Sequence, residues 1–225
     1  MQCMIFSLII INKKVECEKT DIEIVICLVA AVLLMVLHEL FKAVIFVLLR
    51  VKENNKQSIK RRGIWKLWRY IDPVGLVLAV TCYVPVSKPF MFRIRDKKTN
   101  LIIGISGLVF LAVIFFGSVQ MLHIIYGTNA NAAAALNSSG NRRAGILFWQ
   151  YMQMLSFDYF IVNLFPVSTF DMGHIIAGKS ARIYLGIIKA DTQIKLLLIL
   201  TLFLNLINAG YMGFIKFLSL FIAVL

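Results

Sequence analysis

Apolar residues in this chain come in long unbroken runs separated by short polar stretches. Four runs, 22–49, 101–126, 146–165 and 196–225, reach the roughly 20 residues needed to cross a bilayer as a helix. A fifth, 74–86, is apolar but too short to span, which predicts a re-entrant or buried segment. Asp72-Pro73 opens it, and Pro85 and Pro89 bracket its end, so its backbone is expected to be irregular. Irregular backbone at membrane depth has to be buried in protein or line a wet cavity. The stretch 127–145, rich in Asn, Ala, Ser and Gly, reads as a flexible external loop. Residues 1–21 hold a run too short to span and are read as an N-terminal strand or interfacial segment, not a signal peptide. The pattern predicts an all-α polytopic membrane protein: one membrane-embedded domain over 1–225, with about four transmembrane helices and the short re-entrant segment.

Composition agrees, with 60% hydrophobic residues. The formal charge is +13, which taken alone would fit nucleic acid. The basic residues sit beside the spans instead. One group, from Arg50 to Arg69, follows the first span; a second, from Lys88 to Lys98, precedes the second; Lys179, Arg182, Lys189 and Lys195 precede the last. That placement sets topology, with the basic loops cytoplasmic and both termini outside. Nucleic acid is therefore not an expected partner, whereas anionic membrane lipids are. The compartment expected is a bacterial plasma membrane, spanned several times.

The cysteines show no C-x-x-C spacing, so no thiolate metal site is expected; Cys3 and Cys17 lie on the expected outer side, where they could pair. Asn137-Ser138-Ser139 matches a glycosylation sequon. Gln150, Gln153 and Asp158 put a polar stripe on the third span, read as a helix–helix hydrogen-bond face.

The chemistry concentrates elsewhere. His38-Glu39 lies in the middle of the first span, where ionisable groups are costly and mark a site by default. In H-E-x-x-H the two imidazoles, four residues apart, share a helix face and converge on zinc, while the Glu handles the proton of the bound water. Here Lys42 occupies the second histidine's position. A later stretch reads Asn163-Leu-Phe-Pro166-Val-Ser-Thr-Phe-Asp171-Met-Gly173-His174, and the middle contributes Arg69-Tyr-Ile-Asp72-Pro73-Val-Gly75 and Val86-Ser-Lys88-Pro89-Phe.

These four stretches together resemble the site-2 protease family of intramembrane zinc metalloproteases, in that family's order, from about Ile22 to Ala177. The resemblance implies zinc held by His38 and Asp171, with Glu39 as general base. It also implies that Asn163 and Pro166 shape the ligand and substrate loop, and that the region from Asp72 and Pro73 to Lys88 and Pro89 meets an unwound substrate helix. Met172 departs mildly from the family's glycine, and Lys42 departs severely. A protonated lysine offers a positive charge and no lone pair where a metal would sit. Lys42 is therefore expected to pair with Asp171, Glu39 or both, with His174 as a conceivable substitute ligand. The reading is a site-2-protease-like protein of impaired catalysis that holds a transmembrane-helix partner and no metal. One alternative is an active zinc metalloprotease cleaving a membrane-anchored substrate. Another, of a different class, is a small ion or proton transporter using His38, Glu39 and Asp171.

Overall fold

The computed structural model describes residues 21–52, 66–89, 96–126 and 141–204, together with 207, 210, 211, 213 and 214. Among these residues every regular element is helical. In chain order they are α1 (Asp21–Lys52), a 3-10 turn (Leu67–Tyr70), α2 (Pro73–Cys82), α3 (Lys97–Tyr126), α4 (Asn141–Asn163), α5 (Asp171–Lys179) and α6 (Ala181–Phe203). Two of them carry stretches long and apolar enough to cross a membrane, Asp21–Leu49 and Lys97–Ile124.

α1 shows how the bundle is organised. Cys27, Ala31, Leu34, His38, Lys42 and Phe46 are all buried and recur at three- and four-residue steps, one face of a helix. The opposite face, with Val25, Val29, Leu33 and Leu48, is apolar and exposed. α3 repeats this, exposing Ile105, Val109, Val113 and Phe116. An apolar exterior around buried charge is the arrangement a hydrocarbon solvent selects. Small residues on α1 (Cys27, Ala30, Ala31) let the helix approach α2 and α4, and with Leu111, Tyr151, Leu155 and Tyr159 they form the largest core cluster. A second cluster (Ala43, Phe46, Tyr70, Ile103) joins the C-terminal part of α1 to the 3-10 turn and α3.

The short segment departs from its expected irregularity, because residues 73–82 are an α-helix. Proline is tolerated at the first helical position, where its missing N–H has no intrahelical partner anyway. The Asp72 carboxylate caps the start, accepting from Val74 N at 3.3 Å. Irregular backbone begins only at Tyr83, which ends α2 in the left-handed region (φ 59°), a conformation that favours glycine. Its buried ring stacks on Tyr151 with centroids 6.2 Å apart, which offsets the backbone strain. The chain then runs back past α2 so closely that a Cβ on Gly75 would lie 1.8 Å from Val86 O.

Other boundaries also shift. Residues 141–145, expected in the external loop, are the first turn of α4. Where a span from 196 is expected, a helix begins already at Ala181, capped by the Ser180 hydroxyl, which accepts from Ile183 N at 3.4 Å, and it ends at Phe203; 207, 210, 211, 213 and 214 beyond it are helical as well. Residues 1–20, with Cys3 and Cys17, lie outside the described residues, as do 127–140 with Asn137.

Candidate functional site

The buried stripe of α1 brings His38, Glu39 and Lys42 to the interior, where α5 delivers Asp171 from its first turn. His38, Glu39, Lys42 and Asp171 are each at most 2% exposed, which leaves their charges no water to face. His38 Nε2 lies 2.9 Å from Asp171 Oδ2, and Lys42 Nζ donates to Asp171 Oδ1 at 2.9 Å. The same ammonium is 2.7 Å from Glu39 Oε1. Each carboxylate therefore meets a cation or a ring N–H, the condition under which buried charges are tolerated.

Hydrogen positions follow from the partners. His38 Nε2 faces an ionised carboxylate, so it carries the proton and donates. His38 Nδ1 is 3.4 Å from Glu39 Oε1. Two carboxylates against one ammonium leave a net negative charge, which an imidazolium at His38 would cancel.

Local structure holds Asp171 in place. Asn163, the last residue of α4, donates from Nδ2 to Tyr159 O at 3.0 Å, and its Oδ1 accepts from Asp171 N at 3.3 Å. One amide thus ties both ends of the connection 164–170. Asp191 of α6 steadies the same connection, accepting from Ser168 N at 3.0 Å. On α3, a Cβ at Gly107 would lie 2.3 Å from Asp171 Oδ2, so a side chain there would push the carboxylate out of the cluster.

Ser87, Tyr159 and Gly107 belong to the site although sequence reasoning passed over them. Ser87 Oγ donates to Glu39 Oε1 at 2.9 Å and is hydrogen-bonded to the Tyr159 hydroxyl. The Tyr159 ring also meets His38 edge-on, with centroids 4.9 Å apart. No local signal in the sequence marks these three residues, because each is brought to the cluster by a tertiary approach.

The remaining predicted residues lie around the cluster, not in it. His174, one turn beyond Asp171, is buried, with Nδ1 3.3 Å from Asn100 Oδ1 on α3. Its Nε2 has no hydrogen-bond partner among the described residues. Asp72 and Pro73 start α2 and act through its backbone. Lys88 is exposed, with its backbone N donating to Tyr70 O at 3.0 Å. Pro89 is half-buried and Pro166 exposed. The polar stripe on α4 also differs from expectation. Both Asp158 carboxylate oxygens, Gln150 Oε1 and Gln153 Nε2 are buried and unpartnered among the described residues.

The donor set does not fit a zinc ion. His38 spends Nε2 on Asp171, Asp171 divides its oxygens between His38 and Lys42, and the ammonium supplies charge without a lone pair. Among the described residues no three His, Cys, Asp or Glu side chains converge on a common point where a metal could sit. What the arrangement does chemically is hold two buried carboxylates against one fixed cation, with the His38 ring as the second partner of Asp171.

Comparison with protein-family models, with curated proteins and with solved structures returns no match.

Proposed function

We propose that this chain is a multi-pass membrane protein of the site-2-protease type in which the Lys42 ammonium stands where the catalytic zinc would be. The observation that carries this reading is the pair of contacts from Lys42 Nζ, 2.9 Å to Asp171 Oδ1 and 2.7 Å to Glu39 Oε1, inside a fully buried site. The four stretches resembling that family support it, since Lys42 falls at the second ligand position of H-E-x-x-H on the face shared with His38.

On this reading hydrolysis is lost, because a protonated amine neither polarises a carbonyl as a metal does nor lowers the pKa of a bound water. What survives is the scaffold, whose role is to hold a transmembrane helix of a membrane-anchored partner. The chain crosses a bacterial plasma membrane about four times, with its basic loops in the cytoplasm.

The test is zinc stoichiometry by elemental analysis of detergent-purified protein after chelation and zinc re-addition, the parent beside Lys42→His. The expected outcome is no zinc in the parent and near-equimolar zinc in the variant. Near-equimolar zinc in the parent would return the chain to the active proteases.

A further inference from the structure

The 3-10 turn Leu67–Tyr70 presents a surface that the buried site does not explain. Trp68 is 87% exposed and Leu67 beside it is exposed too, while Tyr70 of the same turn is fully buried. The turn is therefore anchored by one aromatic ring and offers another outward. Exposed cationic residues lie beside it: Lys66 just before the turn, Arg69 on it, and Lys88, whose backbone N donates to Tyr70 O. The nearest acid in sequence, Asp72, is turned to the start of α2.

Two helices fix the height of this surface independently. Tyr70 packs against Phe46 of α1 and Ile103 of α3. Phe46 lies six residues before Lys52, the last residue of α1, and Ile103 lies six residues after Lys97, the first of α3. At helical rise both intervals are about 9 Å. Tyr70 therefore lies within about two helical turns of the charged end of each helix, near the border between its apolar part and its charged terminus.

We infer that Leu67 and Trp68, with the exposed cations Lys66, Arg69 and Lys88 beside them, form an interfacial anchor that binds the anionic headgroup layer of the membrane. The occupant is an acidic phospholipid: the indole takes the boundary between acyl chain and headgroup, where an amphipathic ring is favoured, and the cations take the phosphates. A buried function for Trp68 would not leave it exposed, and an anchor without charge would not select acidic lipid. The inference rests on the membrane-spanning reading and is independent of the fate of the zinc site.

The test uses the full chain in phosphatidylcholine vesicles, with and without phosphatidylglycerol. Trp65 and Trp149 are replaced by Phe so that Trp68 alone reports, and Trp68→Ala in the parent serves as the subtraction control. Flotation with the vesicles first establishes insertion; a chain that does not float defeats the membrane-spanning reading itself. In inserted protein, lipid brominated near the headgroup is expected to quench Trp68 more than lipid brominated deep in the chain. Spin-labelled phosphatidylglycerol is expected to associate more strongly than spin-labelled phosphatidylcholine. Lys66→Glu, Arg69→Glu and Lys88→Glu should each weaken that preference about fivefold. Trp68 emission indifferent to brominated lipid but quenched by aqueous iodide would overturn the inference and leave the patch facing a soluble partner. Equal association of the two lipids would overturn it as well.

Discussion

Asp171 and Asp158 are both fully buried, yet one is surrounded by partners and the other by none among the described residues. Asp171 opens α5 and receives His38 and Lys42 from α1, with its backbone N–H held by Asn163. Asp158 sits inside α4, whose backbone bonds are already made within the helix, and lies within electrostatic reach of the buried Tyr211. The contrast teaches that burial alone does not make a site. Asp171 is held in an organised cluster because three elements converge on it; Asp158 is a polar group the bundle accommodates without organising around it.

The largest way to break the comparison is at Lys42. Lys42→Met removes the ammonium that bridges Glu39 and Asp171, leaving two carboxylates buried side by side. The expected cost is about 3–5 kcal/mol, read from denaturant unfolding in detergent. A smaller loss is expected for Ser87→Ala, which deletes the hydroxyl donating to ionised Glu39 and loosens the segment 84–89. Hydrogen bonds to charged groups contribute about 1.5–3 kcal/mol, and amide exchange of Ser87 and Lys88 should accelerate with the loss of stability. The smallest effect is expected at Asp158. Asp158→Asn keeps the shape and removes a buried acid no described residue pairs with, so stability against unfolding should stay level or rise. A loss at Asp158 comparable to that at Lys42 would erase the distinction between the two acids.

Much of this site is legible in the order of residues. His38, Glu39 and Lys42 lie on one helical stripe because the helix period puts them there, and Lys42 has no water to face once α1 is buried. Asp72 before Pro73 is a helix start as well as a chain break; reading only the break hid the helix Pro73–Cys82. Ser87 and Gly107 were out of reach for a different reason. Their roles depend on how close segment 84–89 comes to Glu39 and α3 comes to Asp171, which are tertiary distances with no local signature. The stripe of Gln150, Gln153 and Asp158 shows the reverse error. A polar face on a span suggests interhelical hydrogen bonds, but the neighbours here supply aromatic rings and small apolar side chains.

The central claim is that the Lys42 ammonium and the Asp171 carboxylate hold each other in place of a metal. A double-mutant cycle with Lys42→Met, Asp171→Asn and the combined variant tests it most directly, with unfolding free energies measured in one detergent without added metal. Each single change should be strongly destabilising, and the pair together should cost far less than the sum, because the second change removes the charge the first left stranded. Additive costs would mean that the two side chains do not depend on each other, and would contradict the account.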